Sequence, residues 1–556
     1  MNKLKVGLIV DDNEYSEMVK YLLKASIESK HFSIETFIVQ KTFRTQKSLL
    51  KRSFAYVRTR GLKRFMQDII FKLILIIENQ LLRIFTRIKN SDISNKFNIR
   101  SFNHIYVTPN ISKSGFVYTY SAQDLKLIKD QNLDVLVRGG SGILRGDILN
   151  LCRFGVISFH HGDNDSYRGG PPGFWEVYNE EPSTGFIIQR LTEELDGGDV
   201  LFKGSIATSF MYALNLYKLN NKANVFLPKL LESISKNDSL PNFYQKKVYK
   251  KEIYKTPNFR IQIHYLVKTV FRSVKKITNI LFKRGLRWKV AYQFTQDWKN
   301  ADLKKSIKIK NPPNRFYADP FIFNHDGRSV CFVEDYCYKE KKGSISAIEI
   351  NKSGYKNLGV VLKEDFHLSY PYIFEVNNQI YMCPESHQSK EIRIYKCNRF
   401  PDKWSLHKII MKGVSAMDSI IFKDNDRWWL MTNIDSSSLG HEGSELHIFY
   451  SDSFDSDNWK AHSKNPVIFD SRKGRNGGFI KDLKNKYRVH QSAGFDIYGE
   501  SMGISKINNI SENQYFEEEI ISIHPIFFKN IKGTHTYSYE DGLLAFDYVE
   551  SEKIDV

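Results

Sequence analysis

The stretch from Gly155 to Leu201, GVISFHHGDNDSYRGGPPGFWEVYNEEPSTGFIIQRLTEELDGGDVL, organises the prediction of the fold. Val156–Phe159 is short, apolar and β-prone, and it predicts a buried strand that ends at two histidines. Ligands bind at the carboxyl ends of strands in open α/β sheets, so this edge is the candidate site. The run RGGPPG, from Arg168 to Gly173, predicts a tight loop whose glycines allow close backbone approach.

A second strand is predicted at Thr184–Leu191, and the turn LDGGD leads from it into a third. His160 and Asp196 therefore both follow strands, and we expect them to face one cleft. Asp163 lies between them and is interpreted either as the partner of a substrate amine or of Arg168, or as part of a solvated turn. An Asp-Gly turn is common, so Asp196 taken alone would be weak evidence.

These motifs resemble those of the folate-dependent formyltransferases, G-x-I-N-x-H-x-S, then YRG-x-x-P, then L-D-x-G-D-[IV]-L. The resemblance extends from Lys5 to Ile234 and implies a Rossmann-like α/β fold, with 10-formyltetrahydrofolate as the donor of a formyl group. The family's catalytic trio is Asn, His and Asp. Its His matches His160 and its Asp matches Asp196, whereas Ser158 stands at the Asn position. A serine hydroxyl donates one hydrogen bond and from a shorter arm.

The resemblance also assigns binding roles. A glycine-rich run follows the predicted strand Asp134–Val137 and precedes a predicted helix, Leu144–Leu151, at the position of the family's donor-binding loop; it consists of Arg138, Gly139, Gly140, Ser141 and Gly142. The residues predicted to contact the acceptor substrate are His161, Asp163, Arg168 and Gly169. His161 could replace the missing Asn as a second donor. No metal site is predicted, because adjacent histidines on a strand point to opposite faces.

Composition sets the class of protein. The chain has 556 residues, a formal net charge of +20 and 14% aromatic residues, which indicate two or three domains, an anionic partner and a β-rich part. Its five cysteines form no CxxC pair, as is typical of a reducing compartment. The sequence begins directly with a predicted strand and contains no run of membrane-spanning length. We therefore expect a cytoplasmic enzyme, either free or peripheral at the inner face of the membrane.

Two segments carry most of the excess positive charge. Residues 41–100 contain fifteen Lys or Arg against three acids, and residues 261–290 contain eight and no acid. The first is interpreted as a helical insertion packed on the domain, and its alternative is an amphipathic segment on an anionic membrane surface. The second is interpreted as a surface-binding helix or as the bridge between domains. We expect the two segments to form one continuous cationic face.

The remainder of the chain repeats a strand hairpin five times. The repeats start at Tyr317, Tyr370, Asp418, Gly477 and Gly533, with spacings of 53, 48, 59 and 56 residues. This period predicts an all-β, five-bladed propeller. The expected domains are a formyltransferase-like domain at 1–240 with the basic insertion at 41–100, a linker with a basic helix at 241–300, and the propeller at 301–556.

The repeats resemble the propellers of inverting arabinanases and fructan-active glycosidases, and more closely the N-terminal domain of plant glucosamine inositolphosphorylceramide transferases. The resemblance matches Asp319 to the glycosidase base and Asp418 to the second acid, with Glu385 as a candidate proton donor. Arg475 and His535 fall at or beside their repeat starts. Such mixed charges also suit glycan binding, which we favour over hydrolysis without excluding the latter.

Two functions follow as alternatives. The first is a formyltransferase acting on an amino sugar or a nucleotide-linked sugar in surface-polysaccharide biosynthesis, with a glycan-binding propeller. The second is a propeller-centred carbohydrate-active enzyme or lectin with a degenerate formyltransferase domain. Nucleic acid is a poorer partner, because tRNA formylation in the family uses a small barrel after the catalytic domain, and here a propeller follows.

Overall fold

The computed structural model describes residues 3–12, 15–41, 57–58, 61–86, 102–113, 115–194, 197–245, 249, 252–437, 442–483 and 485–554. The chain divides into two compact units, Met1–Val270 and Phe271–Val556. The boundary falls inside the segment 241–300 that was predicted to link two domains. Among the described residues, no helix is both long enough and apolar enough to cross a membrane.

The first unit is an α/β unit built on one large sheet. Its strands are β1 Leu4–Asp11, β2 Phe32–Gln40, β3 Asn103–Val107, β4 Asn110–Ile111, β5 Val117–Thr119, β6 Val135–Arg138, β7 Ile143–Leu144, β8 Val156–His160, β9 Ser183–Arg190 and β10 Asp199–Ala207. The large sheet has the order β10-β9-β8-β6-β1-β2-β3, and β4, β5 and β7 form a small second sheet. The strands from β8 to β3 run parallel, while β9 and β10 are antiparallel. The Rossmann-like expectation is confirmed for this unit.

Helices within the described residues accompany these strands. They are α1 Glu17–Glu28, α2 Leu62–Thr86, α3 Ala122–Lys129, α4 Phe174–Tyr178, α5 Tyr212–Asn237 and α6 Phe259–Leu281, with a 3₁₀ turn at Asp147–Asn150. The helix α6 contains the boundary between the two units. The helix α1 begins where Ser16 Oγ accepts a hydrogen bond from the Val19 amide, and it buries its apolar side against the sheet.

Buried polar groups hold three of these helices together. The Glu78 carboxylate on α2 accepts a hydrogen bond from the Ala213 amide at the start of α5, at 2.9 Å, and another from the Tyr265 hydroxyl on α6. Burial raises the pKa of Glu78, and these two donors oppose that rise. Because a carboxylate near a helix N-terminus is favourable, Glu78 fixes the start of α5.

Two predictions for this unit need correction. Residues Leu144–Leu151 are not one helix, because Gly146 has a φ of +78° and the Arg145 amide bonds to the Tyr118 carbonyl, so a short strand and a 3₁₀ turn form instead. The helical insertion at 41–100 is described only at residues 57–58 and 61–86, where α2 accounts for one helix; the rest of that prediction lies outside the described residues.

The second unit consists of antiparallel β-sheets. Its strands are β11 Arg284–Phe294, β12 Ile307–Lys308, β13 Arg315–His325, β14 Arg328–Cys337, β15 Lys342–Asn351, β16 Gly354–Leu362, β17 Ser369–Val376, β18 Gln379–Glu385, β19 Glu391–Arg399, β20 Lys403–Lys412, β21 Ala416–Asp424, β22 Arg427–Ile434, β23 Glu445–Ser451, β24 Lys460–Ala461, β25 Ile468–Phe469, β26 Asn476–Asp482, β27 Asn485–Gly494, β28 Ile497–Ile510, β29 Tyr515–Ile523, β30 Ile531–Gly533, β31 Tyr537–Glu540 and β32 Leu543–Lys553. Three 3₁₀ turns lie at Leu303–Lys305, His387–Ser389 and Glu442–Ser444.

Within the described residues of this unit, consecutive strands form four of the five sheets. These begin with β13, β17, β21 and β26 and run in chain order. The fifth sheet has the order β12-β11-β32-β30, with β31 also paired to β32, so it joins the start of the unit to its end. The first strands contact one another in the order β13, β17, β21, β26, β31, and β31 also contacts β13. The β-rich C-terminal region predicted from the five hairpins is confirmed.

Candidate functional site

His160 ends strand β8 and is buried at the edge of the parallel sheet. Its Nε2 lies 3.2 Å from the Tyr167 carbonyl oxygen. The loop folds closely over the ring, since a Cβ added at Gly162 would lie 2.9 Å from Nε2. The neighbouring His161 packs its ring on Phe159, with 5.5 Å between the centroids. Burial, with the adjacent His160, lowers the pKa of His161 to about 4, so its ring is neutral at pH 7.

Ser158, at the position of the family's Asn, is buried on β8. Its hydroxyl donates to the Phe159 carbonyl at 3.2 Å and accepts from Arg138 Nη1 at 3.4 Å. Since the single hydroxyl hydrogen is directed to the main chain, Ser158 does not offer it to a substrate in this conformation. Arg138 places a guanidinium at the same edge, and the prediction made from sequence had assigned it to the cofactor instead.

The loop after β6 is tied into the protein. The Gly139 amide donates to the Ile9 carbonyl at 2.8 Å, and the Ser141 amide donates to Asp11 Oδ2 at 3.0 Å. Gly142, with a φ of +91°, packs on Tyr118, and an added Cβ would lie 2.5 Å from that ring. Gly140 is also closely packed, because its Cβ would meet Gln40. Two amides of the predicted donor-binding loop therefore already have partners inside the unit.

Internal contacts also fix the predicted acceptor residues. Arg168 donates to the Asn164 carbonyl at 2.9 Å and to Glu194 Oε1 at 2.7 Å. The Asp163 carboxylate accepts from Lys203 Nζ at 2.6 Å. The sequence left open whether Asp163 pairs with Arg168. In the structure Asp163 pairs with Lys203, and Arg168 pairs with Glu194.

Gly169 allows the loop to bond to a segment that the sequence gave no reason to place there. It has a φ of +96° and forms a bridge with Tyr254, whose carbonyl would lie 2.3 Å from an added Cβ. Asp196 lies outside the described residues, so its sharing a cleft with His160 stays a prediction.

A small cavity lies beside His160. Its volume is about 10 Å³, enough for about one water molecule. Glu176 on α4 lines it, is 2% exposed, and has no hydrogen-bond partner for either carboxylate oxygen among the described residues. Burial, with Asp163 and Glu181 nearby, raises the pKa of Glu176 to about 8. The sequence analysis did not identify Glu176; its signal was an acid within the aromatic run FWEVY.

In the second unit, three predicted positions share one backbone distortion. Asp319, Tyr370 and Asp418 have φ values of +49°, +45° and +49°. Each lies at a register shift between the first and second strands of its sheet. A positive φ is uncommon outside glycine and is clearest as strain at Tyr370. The three positions are therefore structurally equivalent, each lying at the same register shift of its hairpin.

One cluster of acids surrounds His535. Its Nδ1 lies 2.5 Å from Asp547 Oδ2, and its Nε2 lies 3.7 Å from Asp319 Oδ1. Thr536 Oγ1 donates to Asp319 at 2.9 Å. The ligand atoms of these two acids and His535 lie within 4.8 Å of one another, a set that could hold a metal ion. Since the two ring nitrogens face different carboxylates, the ring is placed as a bridge between them. Asp547, an acid inside the apolar strand LLAFDYV, was missed by the sequence analysis.

The other predicted residues form a second cluster. Arg475 Nε lies 2.6 Å from Asp418 Oδ2, and its Nη2 lies 3.8 Å from Glu385 Oε2. Gln491 also donates to Asp418, at 3.1 Å. Burial works to raise the pKa of Glu385, but His387 at 2.7 Å and Arg475 lower it to about 2. Glu385 is thus ionised at neutral pH and cannot donate the proton that glycoside hydrolysis requires.

Aromatic rings connect the two clusters. His535 stacks on Trp288, with centroids 3.9 Å apart. Tyr498 packs edge-on to His535 at 5.3 Å, and the Arg475 guanidinium lies 4.7 Å from the Tyr498 ring. Tyr498 is 45% exposed, so its ring meets solvent beside the buried charges. An exposed aromatic ring next to polar groups suits the faces and hydroxyls of a sugar.

The two units are similar to different groups of known proteins. Residues 302–539 match the family model described as glucosamine inositolphosphorylceramide transferase 1, N-terminal. The glucosamine inositolphosphorylceramide transferase 1 of Arabidopsis thaliana is 34% identical over 214 residues, which are 37% of this chain and 28% of that protein. The chain thus spans about a quarter of the length of this plant relative.

The other region matches formyltransferases. The methionyl-tRNA formyltransferase of Ehrlichia ruminantium (strain Gardel) is 24% identical over 246 residues, covering 41% of this chain and 80% of that enzyme. A solved structure of phosphoribosylglycinamide formyltransferase from Anaplasma phagocytophilum has 13% identity, a TM-score of 0.29, and coverage of 42% of this chain and 89% of that one. The chain is therefore similar to formyltransferases in its N-terminal region and to the N-terminal family model of the plant transferase over residues 302–539.

These matches correct one expectation. The predicted location, cytoplasmic or peripheral at the inner face of the membrane, is wrong, because the relatives of the second unit are glycosyltransferases named for a lipid acceptor and are not cytoplasmic. Cysteine usage was a weak guide, since four of the five cysteines are buried and free.

Proposed function

We propose that the first unit transfers a formyl group to the amine of an amino sugar or nucleotide-linked sugar, and that the second unit is a five-bladed propeller that binds the glycan. Surface-polysaccharide assembly is the process that such a pair of activities fits. The observation that carries the proposal is His160, buried at the carboxyl end of a parallel strand in the register of the formyltransferase motifs.

Transfer to an amine needs a donor to the developing oxyanion and a group that manages the amine's proton. In this proposal His160 accepts the proton that the amine loses, and Asp196 orients the His160 ring. Ser158 is the residue at the family's Asn position, but its hydrogen is directed to the main chain. The Arg138 guanidinium, 3.4 Å from the Ser158 hydroxyl, is therefore the proposed oxyanion donor.

The loop at the family's donor-binding position does not offer its amides to a cofactor. The amides of Gly139 and Ser141 are bonded within the unit. 10-Formyltetrahydrofolate is therefore proposed as the donor from the family resemblance alone.

Binding, rather than hydrolysis, is proposed for the second unit. Glu385 is held ionised, Asp418 is held by Arg475 Nε at 2.6 Å, and Tyr498 offers an exposed ring. The propeller itself is supported by the contacts among the first strands and by the fifth sheet, which joins the two ends of the unit.

A second candidate function is a propeller-centred carbohydrate-active enzyme or lectin with a degenerate formyltransferase unit. The strained acids Asp319 and Asp418 favour it, because catalytic strain would be stored where they lie. This second candidate predicts that replacing Asp319 or Asp418 abolishes catalysis or glycan binding, and that replacing His160 does not.

An anionic membrane surface is proposed as an additional partner. The helix α6 carries an apolar stripe with spacings of 4, 3, 4, 3 and 4 residues, each member at least half exposed: Ile263, Val267, Val270, Val274, Ile277 and Leu281. The helix contains basic residues and no acid. This combination is typical of helices that lie in a lipid interface.

The proposal is tested by measuring formyl transfer directly. The full chain is incubated with labelled formyl-tetrahydrofolate and a panel of amino-sugar nucleotides. His160→Ala and Asp196→Asn should each abolish most transfer, and the double variant should be little worse than either, because groups acting as a unit give non-additive losses. If His160→Ala leaves turnover intact while Asp319→Asn removes it, the chemistry belongs to the second unit.

A further inference from the structure

Glu176 is the least explained charged residue near His160. It is 2% exposed on α4, and neither carboxylate oxygen has a hydrogen-bond partner among the described residues. A buried carboxyl group left unpaired costs several kcal/mol when it is ionised. The backbone amide of Glu176 itself favours the ionised form, but burial and the nearby acids Asp163 and Glu181 outweigh it, so the net effect is a raised pKa.

The Glu176 carboxyl group and His160 lie beside the same cavity. His160 and Glu176 line the same space, whose volume of about 10 Å³ accommodates about one water molecule. Gly162 and Tyr167 line it as well, and these are the residues next to His160 Nε2. The Tyr167 carbonyl can only accept, so Nε2 carries the hydrogen of the neutral ring on this side.

We propose that Glu176 is a positioning residue that exchanges a proton with His160 through a water molecule in this cavity, and so sets the charge on the His160 ring during transfer. The inference deepens the proposed function and rests on it for its role in turnover. It assigns no new contact with the substrate.

The proton balance is simple. The amine loses a proton as it attacks, and the His160 ring takes it up. The ring then passes its Nε2 hydrogen through the water to Glu176 in those molecules whose Glu176 carboxyl group is ionised, a fraction that reaches half near pH 8: an N–H bond breaks and an O–H bond forms. The same proton returns along this route when the leaving group needs it, so both residues end as they began.

The charged and titratable groups around Glu176 favour a shared proton. The groups that line the cavity or act electrostatically on Glu176 or are affected by it are His160, Asp163, Tyr167, Arg168, Glu181, Tyr212 and Tyr254. Lys203 neutralises Asp163, and Glu194 pairs with Arg168. The raised pKa of Glu176, about 8, places its proton exchange in the range where amine chemistry operates.

The first test needs no substrate. Protein with ring-labelled histidine is titrated from pH 6 to 9.5 by NMR, and the His160 signal is identified by its loss in His160→Asn. In the wild type the His160 signal should shift with an inflection near pH 8. Glu176→Gln should abolish that inflection, whereas Glu180→Gln, which changes an exposed acid four residues away, should keep it. The same inflection in Glu176→Gln would overturn the proposal.

The second test is the pH profile of turnover. Glu176→Gln should lower kcat by about 10²-fold or more with KM little changed, and Glu176→Leu, which removes the polar atoms, should do the same. An active wild type with unchanged kcat and pH profile in these folded variants would also overturn the proposal. If no amine is formylated by the wild type, the proposed function fails, while the NMR result still decides whether the two residues share a proton.

Discussion

Replacing Arg475 by methionine should destabilise the second unit by about 3–5 kcal/mol, the usual cost of leaving a buried charge without its partner. The guanidinium lies 2.6 Å from Asp418 and 3.8 Å from Glu385, and the three side chains are 14%, 2% and 3% exposed. Methionine fills a similar volume without charge, so two buried carboxylates would be left together.

The shift of the Glu385 pKa gives a magnitude for the whole cluster, since both His387 and Arg475 lower it. Its pKa is lowered from 4.5 to about 2, a difference worth about 3 kcal/mol at neutral pH. Because the folded pKa is depressed, this stabilisation is present above pH 4.5 and is lost as the pH falls toward 2. Without Arg475 the pKa of Glu385 should rise, so acid unfolding should begin at a higher pH in the variant.

The assay is urea unfolding followed by tryptophan fluorescence. Six of the seven tryptophans lie in the second unit, so the signal reports that unit. The matched control is Arg427→Met, whose guanidinium pairs with an exposed Asp452 and should cost at most about 1 kcal/mol. Adding Asp418→Asn to Arg475→Met should recover part of the loss. Equal costs for Arg475→Met and Arg427→Met would refute the reasoning.

Three further outcomes are expected. Stability should fall as the pH rises from about 4.5 to 8, by up to about 5 kcal/mol, because folded Glu176 keeps a proton that the unfolded chain releases; melting temperatures of Glu176→Gln should show a flatter dependence, and a slope as steep as that of the wild type would contradict this. Ser158→Asn should preserve or raise formyl transfer, since it restores the family's amide; loss of an activity seen in the wild type would mean that the site serves another donor. In flotation with vesicles, Val270→Asp and Val274→Asp should reduce recovery with anionic lipid, and equal recovery of the wild type with neutral and anionic vesicles would argue against a membrane surface.

The sequence predicted the sheet edge well and its surroundings poorly. Strand β8 was readable because an apolar run ends abruptly in polar residues, and that boundary is local. Glu176 could not be predicted as a buried residue, because a single acid in a short aromatic helix resembles a solvent-facing position. Its burial depends on α5 and the segment around Tyr254, which are distant in sequence. The predicted helix at Leu144–Leu151 failed at Gly146, where a positive φ overrides the apolar spacing.

In the repeats of the second unit, too, some features could be predicted from the sequence and others could not. Their hairpins were predictable from alternating apolar residues and turn signals, and the first strands begin close to the expected positions. The shared bulge was not predictable, because Asp319-Pro320, Tyr370-Pro371 and Asp418-Ser419 have no common composition. Only pairing with the second strand reveals that the three are equivalent.

The fifth sheet of the second unit constrains how the protein is made. Strand β11, Arg284–Phe294, pairs along its whole length with β32, Leu543–Lys553. During synthesis β11 must wait until some 250 further residues have left the ribosome, while the four other sheets can form from consecutive strands as they appear. Closing so long a loop is slow, although its entropic cost grows only logarithmically with length. Until then the edges of β11 are exposed and open to pairing with other chains, so a ribosome that stalls before Leu543 would release an aggregation-prone product.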